Sequence, residues 1–528
     1  MRQSKKCATL VLAAALVAGQ VLPAAAQGQA QPVRKLSVDE AVKLALEQNL
    51  GIQIERINPQ IEDVAIAQAR SYWVPTLSST LQNNSTNTPS SSFLSGGASK
   101  ITDSRFSTQF GVSQQLPTGA NYQFAWNSAR ATSTNLFTNF DPLLSSNVAF
   151  SISQPLLRGR TIDSYRQQLQ TTRKDREAAD VSLRSTIATT TRNVKNAYWD
   201  LAYARENLGA QQKSLDLAKR ALADNEKRVQ IGTMAPIDIV EAQSEVARNE
   251  EAVIVAEAAI KQAEDRLRAL ILNPSAPDFW TTTIEPSETM PFAPVSVDVD
   301  GAIRKAISSR TDVQLAKNSL EKSDINLKYF RSQILPEINA NLSYQSNAVG
   351  GSQLTPVNLT GTNSARSVIA QRGYGSVLGD VLTSAYPTWT FGVTVAYPLG
   401  GNTQETNLAR AKLQYSQAET QVKNLEMQIG TQVRDAARQV QTNAKRVESA
   451  RVARDLAEQK LAAEEKKFAA GIQISFFVFQ AQRDLAQART NEIKAIADYN
   501  KSVVDYEAVQ DTSLTGNAQI TSAAQGTR

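Results

Sequence analysis

The chain contains one structural pattern twice, and this duplication limits its fold more than any other feature of the sequence. In a first register, adding 261 to each residue number carries SYWVP, which ends at Pro75, onto SQILP, which ends at Pro336, without a gap across the preceding helix. In a second register, adding 239 carries Gly232 onto Gly471 within the long helical segments that follow. Chance similarity between alanine-rich helices is the alternative. Two gap-free registers, each anchored by proline or glycine, favour a tandem duplication.

The duplication predicts two structural repeats, each with strands followed by a long helical hairpin, joined by a proline-marked linker. The predicted segments are a signal peptide at 1–26; a first repeat at 27–273, with strands at about 76–156 and a hairpin tip at 230–236; a linker at 274–294; a second repeat at 295–510, with strands at about 338–398 and a tip at 469–475; and a C-terminal tail at 511–528. We expect the tail to be flexible, because it has few large apolar residues.

The N-terminal segment is typical of a secretory signal peptide. Arg2, Lys5 and Lys6 precede an apolar stretch, CATLVLAAALVAGQVL, and three alanines at 24–26 form a small-residue cleavage site. A membrane anchor is the alternative. Cleavage would remove Cys7, the single cysteine of the chain. The mature protein is then expected to contain neither cysteine nor histidine.

The composition argues against an enzyme. The chain has no histidine, which excludes a Ser-His-Asp or Cys-His nucleophile system and an imidazole zinc site. Carboxylate, serine or lysine chemistry stays open, but no carboxylate constellation and no phosphate-binding glycine loop stands out. We therefore predict no catalytic residue, cofactor or metal site. The formal net charge is +6, and no cluster of lysine and arginine indicates nucleic-acid binding.

The long helical segments predict rods that pack as coiled coils. A helix from Ile162 to about Gln230 would extend roughly 100 Å, which is too long for a compact domain. In the helix after the first tip, apolar residues repeat every seven positions and mostly small residues fill the second core position. The two sets are Ile239, Val246, Val253, Ile260 and Leu267, and Ala242, Ala256, Ala263 and Leu270. This spacing indicates coiled-coil packing with closely approaching helix axes.

The segments after the two prolines alternate between apolar and polar residues, as strands do. NYQFAWN at 121–127 places three aromatic residues on one face, and WTFGVTVAYPL at 389–399 repeats the alternation. Segments of about ten residues with one apolar face and one polar face are typical of transmembrane barrel strands. A periplasmic sheet packed on a core is the alternative. We interpret Pro75 and Pro336 as the points where a helix in water becomes a strand entering the bilayer.

The number of such strands predicts an oligomer. At most six are found, near residues 76–84, 105–116, 121–129, 147–156, 338–346 and 389–398. Single-chain outer-membrane barrels start at about eight strands, and an open sheet in lipid would leave its edges unpaired. Several chains must therefore contribute to one barrel.

In their order and duplication, these motifs resemble the TolC-like outer-membrane efflux and secretion channels, the outer-membrane factors. The resemblance covers nearly the whole mature chain. It rests on LSVDEAVKLALEQN near the start, the two switch prolines, SQPLLRGR and AYPLGGN at the strand-to-helix exits, NAYWDLAYARENL in the long helix, and the tips RVQIGTMAPIDIVEAQ and KKFAAGIQISFFVFQAQ. The implied fold is mostly α with transmembrane β. Tandem-duplicated long α-helical hairpins form a periplasmic α-barrel, and a shared outer-membrane β-barrel is completed by trimerisation.

The resemblance also implies a location, a function and partners. It implies a homotrimer in the outer membrane of a Gram-negative-type bacterium, with a large periplasmic portion, acting as the passive exit duct of a tripartite efflux or type I secretion system. The implied partners are outer-membrane lipid, a periplasmic adaptor (membrane fusion) protein and an inner-membrane pump of the RND, ABC or MFS type. The implied adaptor-docking residues at the tip turns are Val229, Gly232, Thr233, Asp238, Gly471 and Ile472.

One segment departs from the family pattern. The family supplies four strands per chain, whereas Ser104 to Thr132 predicts an extra hairpin. Either the barrel contains more than twelve strands, or the hairpin projects as an extracellular or plug-like loop. A trimeric surface adhesin or coiled-coil stalk without transport activity is the alternative function, although such a protein would place its strands once. The sequence assigns neither an exported substrate nor gating residues.

Overall fold

The computed structural model describes residues 33–90, 99–277, 279–357, 366–400 and 402–510. The expected signal peptide and C-terminal tail lie outside the described residues. The described helices are α1 (Val38–Gln48), α2 (Leu50–Ser71), α3 (Ser164–Gln230), α4 (Ile237–Ile271), α5 (Val299–Ser309), α6 (Thr311–Gln333), α7 (Tyr374–Leu382), α8 (Thr403–Ala469) and α9 (Ser475–Gln510). The described strands are β1 (Val33–Leu36), β2 (Thr76–Pro89), β3 (Lys100–Gln115), β4 (Asn121–Ser133), β5 (Phe140–Pro155), β6 (Thr283–Pro286), β7 (Glu337–Leu354), β8 (Val368–Arg372) and β9 (Pro387–Ala396).

The boundaries of the helices reproduce both sequence registers. The first register carries α1 onto α5 with both ends matched, and the second register does the same for α3 and α8. The capping residues are also repeated, because Ser37 corresponds to Asp298 and Asp163 to Asn402. Each of these side chains accepts a hydrogen bond from the backbone N–H three residues later, which satisfies a free donor at the helix start. The predicted duplication is confirmed.

Two helical hairpins make up most of the chain. Helices α3 and α8 each have 67 residues, so each is about 100 Å long, as the sequence predicted. Helix α4 packs on α3 and helix α9 on α8. The small heptad residues Ala242 and Ala256 are buried, and so is Ala481 in the second hairpin. Small side chains therefore lie at the helix contacts and let the helix axes approach closely.

Two apolar clusters hold the short helices and the linker against the hairpins. The first contains Tyr198, Leu201 and Leu267, and the second contains Val433 and Tyr499. In each cluster a tyrosine hydroxyl donates a hydrogen bond to the backbone of a segment outside the hairpins. Tyr198 Oη donates to the Leu36 carbonyl at 3.0 Å, and Tyr499 Oη donates to the Ala293 carbonyl at 2.6 Å. These bonds fix β1 to α3 and the end of the linker to α9.

The six strands predicted from the sequence form one antiparallel sheet. Its order is β2-β3-β4-β5-β7-β9, and every neighbouring pair is hydrogen-bonded. Strand β8 pairs with the far end of β7, at Gly351–Leu354, whereas β9 pairs with its near end, at Glu337–Ser346. The segment from Ser104 to Thr132 lies in β3 and β4. It is therefore part of the sheet of this chain.

Three short strands and one short helix were not predicted. Strand β6 lies in the linker segment and pairs in parallel with β1. Helix α7 connects β8 to β9, and its Val377 and Val381 pack against Ala348 of β7. Strands of four or five residues are too short to show an alternating pattern. Within the described ranges, no helix has an apolar stretch that could cross a membrane.

Candidate functional site

The first hairpin tip reverses the chain through a glycine in the left-handed region. Gly232 has φ +75°, which glycine adopts at little cost. Its N–H donates to the Val229 carbonyl at 3.0 Å, and the N–H of Thr233 donates to the Arg228 carbonyl at 2.9 Å. This pair of bonds is a Schellman motif, which satisfies the last carbonyls of α3.

The second tip repeats this geometry at the corresponding position of the second repeat. Gly471 has φ +73°, and its N–H donates to the Phe468 carbonyl at 3.1 Å. The N–H of Ile472 donates to the Lys467 carbonyl at 3.0 Å. The two tips therefore share the same backbone hydrogen bonds although their side chains differ.

Side chains join the two tips of one chain. Ser475 Oγ donates to Asp238 Oδ1 at 3.0 Å, so the start of α9 is bonded to the start of α4. The Arg228 guanidinium lies 4.6 Å from the centroid of the Phe468 ring, within the range of a cation–π contact. The sequence pointed to Asp238 but not to these three partners. Their contacts join positions from different repeats, and no local pattern reveals them.

A buried carboxylate forms a second contact between α4 and α9, farther along these helices from the tips. The Glu245 side chain on α4 is 7% exposed and accepts from Arg483 of α9 at 3.4 Å. Arg248 approaches the same carboxylate oxygen at 3.3 Å. Two arginines thus neutralise one buried charge, which would otherwise be unfavourable in this environment.

Apolar side chains surround both tips without being covered. The exposed residues are Ile231, Ile237, Val240, Ile472, Ile474, Phe476 and Phe477. Ile231 and Ile472, which flank the two glycines, are 74% and 76% exposed. A cluster of apolar side chains rimmed by polar residues is typical of a protein-binding surface.

The switch prolines lie where the sequence predicted a change from helix to strand. Pro75 directly precedes β2, and Pro336 directly precedes β7. At this level Arg158, which follows β5, donates to Gln333 Oε1 at 3.0 Å and approaches Glu337 Oε2 at 3.5 Å. The strand that leaves the sheet is therefore tied to the strand that enters it.

The two sides of the chain are exposed along both helices and strands. On one side every residue of β2 is exposed, and on the other every residue of β9 except Gly392 is exposed. Helix α2, which leads into β2, exposes an apolar stripe that contains Ile54, Ile57, Ile61 and Val64. Helix α8, which follows β9, exposes the separate apolar residues Leu413 and Met427 on a largely polar surface.

The described acidic residues do not assemble a metal site. Among the described residues, no group of three or more His, Cys, Asp or Glu side chains could hold a metal ion. Glu206 of α3 is the notable titratable group, because burial raises the pKa of its carboxyl, although a hydrogen bond from the Met290 backbone opposes this change.

Comparison with known proteins identifies the family. A family model described as outer membrane efflux protein matches residues 41–271 and 302–509. The chain belongs to the outer membrane efflux protein family. The two matched ranges fall within the two structural repeats, so the family assignment rests on both. Members of this family are transport channels rather than enzymes, as the composition predicted.

Solved structures of bacterial membrane proteins share the fold of this outer membrane efflux protein. A membrane protein from Pseudomonas aeruginosa is 16% identical with a TM-score of 0.63, over 91% of this chain and 93% of that chain. The CmeC outer membrane channel of Campylobacter jejuni is 14% identical with a TM-score of 0.60, over 90% and 85%. The outer membrane protein VceC of Vibrio cholerae is 14% identical with a TM-score of 0.60, over 90% and 96%. A search of curated proteins finds no match.

Proposed function

We propose that three copies of this chain form a channel in the outer membrane that acts as the passive exit duct of a tripartite efflux or type I secretion system. The observation that carries the proposal is the pair of exposed sides, with α2 and β2 on one and β9 and α8 on the other. Two different surfaces at opposite sides of one chain favour a head-to-tail interface, which forms a ring when its rotation closes.

The sheet supplies the physical reason for a ring. A free strand edge has backbone N–H and C=O groups without partners, and hydrocarbon offers none. Pairing β2 of one chain with β9 of the next would satisfy both edges. The same contact would bring the apolar stripe of α2 against α8. The resemblance to outer-membrane factors supports three as the number of chains.

The tips are the proposed contact for a periplasmic adaptor. Their exposed apolar residues surround Gly232 and Gly471, and the proposed docking set also includes Val229, Thr233, Asp238 and Ile472. In this role the chain provides a water-filled path, and the inner-membrane pump supplies energy and selects the substrate. Pumps of the RND, ABC and MFS types are all compatible with this role.

Oligomeric state and export test the proposal separately. Light scattering on the detergent-extracted protein should give three chains per particle, and negative-stain images should show an elongated rod. Deleting the gene should raise accumulation of at least one compound from a panel of dyes, detergents and metal salts. A compact monomer that is soluble without detergent would contradict the channel. Unchanged accumulation together with lost surface attachment would favour the adhesin alternative.

A further inference from the structure

The hairpin of β3 and β4 is paired along its length with its neighbours. The β2–β3 pairing runs from Thr76–Ser113 to Pro89–Lys100 without a register shift. The β3–β4 pairing runs from Asp103–Ser133 to Gln115–Asn121, also without a shift. A loop that merely projected from a barrel would not need such continuous pairing on both sides. The hairpin therefore lies between β2 and β5 as a regular part of the sheet.

The hairpin also continues the apolar face of the sheet. Directly paired residues form a row across all six strands, with one apolar residue from each. The row is Leu77, Val112, Phe124, Phe150, Tyr344 and Trp389. All except Val112 are among the exposed large apolar residues of the chain. An exposed row of this kind requires lipid against it on β3 and β4 as much as on the other strands.

The opposite face is continuous in the same way. The adjacent row on that face is Thr76, Ser113, Gln123, Ser151, Ser343 and Thr390, all of them polar and uncharged. A strand with one apolar and one hydroxyl- or amide-bearing face is built to separate lipid from a water-filled lumen. Strands β3 and β4 meet this requirement with the same chemistry as their neighbours.

The turn of the hairpin is held at the helix-to-strand boundary. Gln114 Nε2 donates to the Trp73 carbonyl, just before Pro75, at 2.7 Å. A Cβ on Gly119 would lie 2.9 Å from the Gly159 carbonyl oxygen and 3.0 Å from Arg166 Nη2. The turn thus packs closely against the exit of β5. The turn end of the hairpin is therefore fixed at the same level as the start of β2 and the end of β5.

We propose that each chain contributes six strands to the membrane wall, so that the trimer forms an eighteen-stranded barrel whose lining is mainly hydroxyl- and amide-bearing. This inference rests on the proposed trimeric channel. Barrel diameter grows roughly linearly with strand number, so the lumen would be about half again as wide as that of a twelve-stranded barrel. An outlet of this width and chemistry suits bulky polar cargo.

A matched pair of cysteine variants tests the membrane position of the hairpin. Gln123→Cys should react with a membrane-impermeant maleimide through the lumen, whereas Phe124→Cys, facing lipid, should not. Thr390→Cys and Trp389→Cys on β9 provide the reference pair, and the unaltered chain is the labelling blank. The inference would be overturned if both β4 variants were labelled equally and rapidly while the two β9 variants were still labelled at different rates in a trimer. That result would leave the proposed channel intact.

The strand number itself can be counted. Electron cryomicroscopy of the unaltered trimer should show eighteen strands around the barrel, and twelve strands with β3 and β4 outside the wall would contradict the inference. A particle without three chains would contradict the proposed function instead.

Deletion of residues 100–133 would connect β2 directly to β5, which run in opposite directions. In planar bilayers, the largest polyethylene glycol that enters the barrel should be smaller for this variant than for the unaltered protein.

Discussion

The hydroxyl of Ser475 donates a 3.0 Å hydrogen bond to the carboxylate of Asp238, and this contact joins the first turns of α9 and α4. The two residues belong to different repeats, and each follows a glycine turn. The bond therefore connects the two tips of one chain at the end of the structure opposite the sheet. If the tips separate when the channel opens, this contact must break.

Locking this contact should block export. The double variant Asp238→Cys/Ser475→Cys places two thiols where the hydrogen bond now lies, in a mature chain expected to contain no other cysteine. Its disulfide should hold the tips together and reduce export to the level of a strain without the gene. Accumulation of an exported compound measures the effect. The reduced double variant is the control for loss of the two native side chains, and a reducing agent should return export by the oxidised double variant to that level. Full export by quantitatively oxidised channels would exclude tip separation as the opening movement.

Alanine at a tip glycine should destabilise the tip through the backbone alone. A Cβ on Gly232 or Gly471 would have no neighbouring atom within 4 Å, but both residues have positive φ. We expect Gly232→Ala to cost about 1 kcal/mol locally, since left-handed backbone is unfavourable for alanine. Faster trypsin cleavage at Lys227 and Arg228 would report this loss.

Gly209→Ala is the matched control for this substitution. Gly209 also has open space around its Cβ position, but it lies within α3. Alanine there should stabilise the helix by about 0.5–1 kcal/mol, because glycine loses more conformational freedom on folding. Equal cleavage rates for both alanine variants would contradict the role assigned to the positive φ at the tip.

Removal of the Glu264 carboxylate should strongly destabilise the contact between α4 and the linker strand β6. Its buried carboxylate accepts from the Ile284 N–H at 2.7 Å and lies 3.4 Å from Arg268, which is also buried. Glu264→Ala leaves both groups without this partner, and we expect a loss of about 3–5 kcal/mol. The measurement is the unfolding temperature of the detergent-solubilised protein.

The exposed neighbour of this carboxylate supplies the comparison. Lys261 approaches Glu264 from solvent at 3.3 Å, and its side chain is 68% exposed. Lys261→Ala should lower stability by about 0–1 kcal/mol, because exposed ion pairs contribute little. Similar losses for Lys261→Ala and Glu264→Ala would contradict the structural role of the buried carboxylate.

Glu206 should make stability decrease as pH rises above 4.5. Burial raises the pKa of Glu206 from its ordinary value of 4.5, so the folded chain retains this proton at pH values where the unfolded chain has lost it. Stability falls between the ordinary and the raised pKa, because the folded state binds more protons there. Glu206→Gln should remove this part of the pH dependence and raise the unfolding temperature at neutral pH.

Glu40 should contribute to the pH dependence of stability with the opposite sign to Glu206. Two hydrogen bonds from Ser37 lower the pKa of the Glu40 carboxyl below 4.5. The bond from the backbone N–H has the larger effect, and the bond from the hydroxyl has the smaller one. The unfolded chain then binds more protons, so this contribution is present above pH 4.5 and is lost as pH falls through the lowered pKa. Unfolding temperatures of Glu40→Gln and Glu206→Gln over pH 3 to 8 should therefore deviate from the unaltered protein in opposite directions. Parallel profiles would refute this assignment.

Some features of the tips followed from the sequence, and others required the structure. Gly232 and Gly471 were identified because a chain reversal after a helix favours glycine locally. The Asp238–Ser475 bond and the Arg228–Phe468 contact were not, since nothing near either residue in the chain specifies a partner from the other repeat. Such contacts depend on how two helical hairpins are placed side by side.

The sequence by itself determined the duplication, the helix-to-strand changes at Pro75 and Pro336, the long rods and the six alternating strands. These features depend on short-range physics: proline geometry, helix capping and the periods of helices and strands. Only the tertiary structure decided that Ser104–Thr132 joins the sheet, and that the linker strand β6 pairs with β1. An alternating segment has the same local pattern whether it projects or pairs, because its place in a sheet depends on hydrogen bonds to strands distant in the chain.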